Sequence, residues 1–137
     1  MAFDLHDTTA LVTGTSRGIG AEVACQLAAH GANVVVNFRS KAPRAEEVAA
    51  TIRTRGRRAT LAQADLTLAD DLAHMAHVVA SEHQQLDMLI LNASGGLEKG
   101  KSVDYAMQLN LTAQLGIVDV LLPLMAHGSR LVFVTSH

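Results

Sequence analysis

With 137 residues, the chain is long enough to form one domain around a sizeable buried core. Apolar residues make up 49% and charged residues 18%, which excludes a disordered chain, while a formal net charge of −2 offers no basic surface to nucleic acid. Aromatic residues are scarce at 3%, so the core must be built from Ala, Val and Leu.

The N-terminal stretch "MAFDLHDTT" carries acids and no apolar run, so it does not read as a secretory signal. Residues 8–13, "TTALVT", read as a buried strand. Residues 18–31 read as a helix, with Ile19, Val23 and Leu27 recurring at i, i+4 and i+8 and Gly31 standing just past its end. The single cysteine, Cys25, falls in this apolar helix and reads as an inert core thiol. It excludes an internal disulfide and points to a reducing compartment, hence a cytoplasmic protein. Residues 32–37, "ANVVVN", form the second strand. In 43–56, Pro43 occupies the first turn, Glu46 and Glu47 come early, Arg53 and Arg55 late, and Gly56 terminates; this charge order suits a helix dipole.

Residues 59–64 read as a third strand and 69–85 as a third helix. His74 and His77 on that helix, with His83 beyond, read as a solvated face lying away from the expected cleft, and no metal is expected. Residues 86–92 read as the fourth strand, followed by the loop "ASGGLEKGKS". Residues 104–127 read as a long helix bent at Pro123. Its greasiest part, "IVDVLLPLMA", holds an Asp and a Pro and is too short to span a bilayer, so no membrane is expected as a partner. Residues 130–136 read as a fifth strand, apolar enough to be buried on both faces.

Strands alternating with helices predict βαβ units with right-handed crossovers. The expected fold is a doubly wound parallel sheet of Rossmann-like type, three layers deep (α/β/α), with its five strands in the order 3-2-1-4-5. Ligands of such sheets sit beyond the carboxyl ends of the strands. Function is therefore expected at residues 14–20, 37–41, 65–66, 92–96 and 135–137.

The turn after the first strand reads "TGTSRGIG". Gly14, Gly18 and Gly20 let the backbone approach a pyrophosphate at a helix N-terminus, although a plain strand–helix turn uses glycine too. The spacing is Gly-x-x-x-Gly-x-Gly. With Thr13 it resembles the short-chain dehydrogenase/reductase family, and the resemblance runs along the whole chain. "ADLT" at 64–67 resembles the adenine-side element, with Asp65 and Leu66 in place. "LNAS" at 91–94 resembles the Asn-Asn-Ala-Gly motif, with Asn92 on its second asparagine, followed by Ala93 and Ser94. "QLNLTA" resembles the helix carrying an active-site asparagine, here Asn110, and "VFVTS" the strand ending in the catalytic serine, here Ser136.

The resemblance implies cofactor contacts from Gly14, Thr15, Ser16, Arg17, Gly18, Ile19 and Gly20, and from Asp65, Leu66, Asn92, Ala93 and Ser94. At the end of the second strand, an NAD enzyme is expected to hold a carboxylate against the ribose hydroxyls. Here the sequence is "NFRSK": Asn37, Arg39, Ser40 and Lys41, without an acid. A guanidinium pairs with a 2′-phosphate where a carboxylate would repel it, and Arg17 adds a second positive charge. Two solvated arginines at loop ends are the other reading. NADP(H) is the expected cofactor, with NAD(H) second.

The family's tetrad is Asn, Ser, Tyr and Lys, of which Asn110 and Ser136 are present. No Tyr-x-x-x-Lys follows Ser136; the only tyrosine, Tyr105, precedes Asn110 and is followed at the fourth position by Leu109. Residues 1–137 are thus expected to be a C-terminally incomplete nucleotide-binding domain whose natural chain continues past His137. The implied activity is hydride transfer between nicotinamide and a carbonyl or alcohol substrate, in a homodimer or homotetramer built on the helices near 104–127. A catalytically inactive nucleotide-binding module is the alternative. Leu91 and Ser94 depart from the motif, and Asn92 to Asn110 spans only 18 residues, so the substrate class is left open.

Overall fold

The computed structural model describes residues 4–15, 18–92 and 111–134. Among the described residues, five strands and four helices alternate: β1 (Thr9–Val12), α1 (Gly18–Ala29), β2 (Asn33–Phe38), α2 (Ala42–Thr54), β3 (Ala59–Gln63), α3 (Ala69–His83), β4 (Leu86–Leu91), α4 (Ala113–Leu121) and β5 (Met125–Phe133). A short 3-10 turn, Leu122–Leu124, joins α4 to β5. All strand pairs are parallel, in the order β3-β2-β1-β4-β5. This is the Rossmann-like sheet that the alternation implies.

Strands β1, β2 and β4 are mostly apolar because the sheet is covered on both faces there, and alternate side chains go to opposite layers. Val12, Val34, Val36, Phe38 and Ile90 pack against Ala24 and Ala28 of α1 and Ala45, Val48, Ala49 and Ile52 of α2. Leu11, Val35, Leu89 and Leu91 pack on the other side against Leu72, Met75 and Val79 of α3 and Ile117 and Leu121 of α4. Burying each Val or Leu side chain fully contributes about 1.5–3 kcal/mol. The helices are oriented by their termini as well: α3 carries Asp70 and Asp71 in its first turn and His83 in its last.

Two expectations are corrected by the structure. The helix expected over 104–127 is, within the described residues, the shorter α4; Met125 already pairs with Leu86 on β4, so 125–127 are strand. Pro123 sits in the 3-10 turn rather than at a bend in a longer helix. Along β5, Leu131, Val132 and Phe133 are 41%, 43% and 52% exposed. Among the described residues, β5 pairs with β4. Among the described residues, no helix is long and apolar enough to cross a membrane. Cys25 is only half-buried in α1; desolvation and Glu22 push its thiol up, against an opposing pull from Arg55.

Candidate functional site

The ends of β2 and β4 meet the turn between β1 and α1. That turn is bound to the sheet from two sides. From the β4 side, the Thr13 hydroxyl accepts the Asn92 backbone N–H at 2.8 Å, and the Thr13 N–H donates to the Ile90 carbonyl at 3.0 Å. The Asn92 side-chain amide donates to the Gly14 carbonyl at 3.4 Å. From the β2 side, Asn37 Oδ1 accepts the Gly14 N–H at 3.2 Å, and the Asn37 carbonyl accepts both the Thr15 N–H at 2.9 Å and the Thr15 hydroxyl at 2.6 Å. Thr13, Thr15 and Asn37 are all buried. Buried polar atoms this well matched stiffen a turn.

Glycine is required at two points. Gly14 has φ +64°, in the left-handed region that favours glycine. At Gly20, a Cβ would overlap the Gly14 carbonyl oxygen and lie 2.6 Å from Asn92 Nδ2, so only glycine lets α1 start this close to the turn. Gly18 and Ile19 are exposed at the start of α1, whose first turn carries no acid. The exposed amide end of a helix with no carboxylate beside it suits an anion.

At the carboxyl ends of β2 and β3, Phe38, Arg39, Ser40, Leu61, Gln63, Asp65, Asp71 and His74 line a cavity of about 660 Å³. Arg39 and Ser40 are exposed there, beyond the end of β2. Asp65 is fixed by its surroundings: its backbone N–H donates to Asp71 Oδ2 at 2.7 Å, and Oδ1 accepts the Thr67 N–H at 3.0 Å and hydroxyl at 2.6 Å. Partial desolvation pushes the Asp65 carboxyl up, but the two Thr67 hydrogen bonds and the Arg39 charge outweigh it and hold it below its ordinary 3.8. It stays an ionised acceptor at neutral pH.

Three of the expected contact residues sit differently from a ligand-facing position. Thr15 is fully buried and Asn37 is 2% exposed; Thr15 spends its polar atoms on the turn itself, and Asn37 spends its own on the turn and on the Ala62 carbonyl of β3. Leu66 is buried among Leu72, Met75 and the β4 leucines, so its side chain belongs to the core. Conversely, α3 does not lie away from the cleft. His74, expected on a solvated face, lines the cavity beside Arg39, and Asp71 anchors Asp65. The i, i+3 spacing of Asp71 and His74 puts both on one helical face, which was the available signal. Among the described residues no group of three His, Cys, Asp or Glu could hold a metal. Ser16, Arg17, Ala93, Ser94, Tyr105, Asn110 and Ser136 lie outside the described residues.

A family model described as short chain dehydrogenase matches residues 8–137. Hydroxynaphthalene reductase arp2 of Aspergillus fumigatus is 33% identical over 140 residues, covering 96% of this chain and 50% of the relative. A crystallised dehydrogenase/reductase from Sinorhizobium meliloti superposes with a TM-score of 0.88 at 30% identity, over 98% of this chain and 56% of that one. A short chain dehydrogenase from Burkholderia cenocepacia, crystallised in complex with NADP, gives a TM-score of 0.86 at 34% identity, over 96% and 56%. The chain spans about half the length of the curated relatives it matches.

Proposed function

The chain belongs to the short-chain dehydrogenase/reductase family, and on that premise we propose that the whole protein is an NADP(H)-dependent oxidoreductase acting on a small carbonyl or alcohol substrate. The observations that carry this reading are the doubly fastened glycine turn and, beyond the end of β2, a cavity lined by Arg39 and Ser40. The residues present fit such a cofactor: a turn too tight for any Cβ at Gly20, an acid-free helix start, and a guanidinium where an NAD enzyme would carry a carboxylate.

When bound, the nicotinamide supplies or accepts the hydride. The chain's own residues would bind and orient around it. The α1 N-terminus and the Gly14–Gly20 turn would receive the pyrophosphate. Arg39 and Ser40 would receive the 2′-phosphate. The ionised Asp65 would accept a hydrogen bond from the adenine amine. Asn92 would hold the turn closed beneath the dinucleotide. In keeping with the family, Ser136 would donate to the substrate oxygen and Asn110 would hold a water in the proton path. The tyrosine and lysine that complete that path would come from chain beyond residue 137. A homo-oligomer joined around α4 is supported by Leu111, Leu115 and Leu122, which are 56%, 65% and 59% exposed. The NADP complex of the Burkholderia cenocepacia relative supports the cofactor.

The test is carbonyl-dependent oxidation of NADPH by the full-length protein, alongside its Ser136→Ala variant. The expected outcome is turnover that falls by roughly a hundredfold or more in the variant, the scale of a lost acid–base partner. Cofactor binding should be unchanged in that variant. A protein that binds NADPH yet turns over no carbonyl or alcohol would be the inactive module instead.

A further inference from the structure

The stretch from Asn37 to Lys41 is where the choice between the two nicotinamide cofactors is expected, and its first residue faces the wrong way to take part. We propose that Asn37 is a positioning residue that holds the cofactor turn in its binding conformation, and that cofactor choice begins only at Arg39. The inference rests on reading the protein as a nicotinamide-dependent enzyme.

Asn37 is 2% exposed and joins three segments. Its Oδ1 accepts the Gly14 N–H at 3.2 Å and its carbonyl accepts the Thr15 N–H and hydroxyl, so on the β2 side the turn is held by this one residue. Its Nδ2 donates to the Ala62 carbonyl of β3 at 3.1 Å, with Met75 Sδ of α3 at 3.7 Å. The partners fix the amide's orientation: Gly14 N–H can only donate and Ala62 C=O can only accept. The position therefore needs a donor and an acceptor on one short side chain, which is an asparagine.

A carboxylate placed here by Asn37→Asp meets a different fate from the one at the end of an NAD enzyme's second strand. One of its oxygens would keep the Gly14 N–H. The other would face the Ala62 carbonyl across about 3 Å, acceptor against acceptor, in a buried site. It has no open path to a ribose, because side-chain atoms at this position are enclosed by β3 and α3. Asn37→Asp should therefore damage the turn and leave the discrimination between cofactors alone, while Arg39→Asp should do the reverse. Only Phe38 stands between the two residues in sequence, yet their functions are separate.

The experiment is fluorescence titration of NADPH and NADH into full-length wild type, Asn37→Asp, Asn37→Ala, Thr15→Val and Arg39→Asp, each well below its own unfolding temperature. Both Asn37 variants are expected to weaken the two cofactors by the same factor, roughly tenfold, the scale of a lost buried hydrogen bond. The NADPH/NADH affinity ratio then stays where wild type has it, and the KM for cofactor rises in parallel. Thr15→Val removes one bond of the same turn without altering Asn37, so it should weaken both cofactors in the same way and to a smaller degree. It decides the matter if an Asn37 variant does not fold. A gain of NADH relative to NADPH in Asn37→Asp would overturn the inference, since the carboxylate would have reached the ribose. So would Asn37 and Thr15 variants that melt earlier yet bind both cofactors as wild type does. Wild type binding neither cofactor would instead overturn the underlying reading, and this inference with it.

Discussion

At Gly20 a methyl group would overlap the Gly14 carbonyl and press on the Asn92 amide, a pair whose hydrogen bond helps fasten the turn on its β4 side. Neither neighbour is a flexible side-chain end that can swing aside cheaply: one is backbone, and the other is hydrogen-bonded to it. Gly20→Ala is therefore expected to lower stability by about 1–3 kcal/mol, the range for overpacking a tight contact. Because the strain is released by shifting the turn, NADPH affinity should fall by roughly tenfold or more, as when a buried hydrogen bond is lost. Thermal unfolding and a cofactor titration of the same preparation check both effects. A variant with the melting temperature and affinity of wild type would show that α1 and the turn are not coupled in this way. Gly18 is a contrast within the same motif, since a Cβ there would meet nothing within 4 Å; its φ of +64° is what favours glycine.

Among the elements, the edge strand β3 depends on α3 and on the segment before it. Thr60 Oγ1 and His83 Nε2 share a hydrogen bond at 2.8 Å, and His83 Nδ1 is buried with no hydrogen-bond partner among the described residues. Arg58 donates to the Glu82 carbonyl at 2.6 Å and pairs with the Glu82 carboxylate at 3.6 Å, so a positive charge stands beside the imidazole. Desolvation first, and the Arg58 charge second, lower the His83 pKa from its ordinary 6.5, with Glu82 pulling the other way. The unfolded chain then takes up the proton more readily than the folded one. The stability tied to neutral His83 is complete above pH 6.5 and is lost as pH falls through the lower folded value. The urea midpoint of wild type should decline between about pH 7.5 and about pH 5 more steeply than that of His83→Gln, which cannot titrate. Parallel pH profiles for the two proteins would contradict this role for the β3–α3 junction. The same junction shows what helix periodicity leaves unsaid. The heptad-like spacing of Leu72, Met75 and Val79 marks the buried face of α3, but the neighbour met by the other face is a matter of tertiary packing. His74 and His83 read alike in the sequence, yet one lines the cavity and the other is half-buried against Thr60.

For the whole molecule, the order of the sheet and the place of the cleft were legible because short apolar runs alternate with longer amphipathic ones, and right-handed crossovers leave few arrangements. The glycine turn was legible from Gly14, Gly18 and Gly20 following a strand and opening a helix. The division of labour inside the turn was not. Thr15 and Asn37 are polar residues at strand ends, and a buried latch asks for the same donors and acceptors as a ligand contact. Only burial separates the two. Residues 125–127 differ for another reason: past Pro123, Leu124, Met125 and Ala126 continue an apolar helical pattern, and the pairing of Met125 with Leu86 of β4 is a long-range contact that local propensity does not encode. The scaffold that results holds a glycine turn fastened from both the β2 and β4 sides and, beyond the end of β2, a cavity lined by Arg39, and the proposed preference for NADP(H) rests on that combination. The most direct measurement is the dissociation constant of NADPH against that of NADH for the full-length wild-type protein, with Arg39→Asp measured beside it. NADPH is expected to bind more tightly by roughly tenfold or more, the scale of a charge-assisted contact, and Arg39→Asp to erase the gap by weakening NADPH while sparing NADH. Equal affinities in wild type, or a gap that survives Arg39→Asp, would contradict that preference and the role given to Arg39.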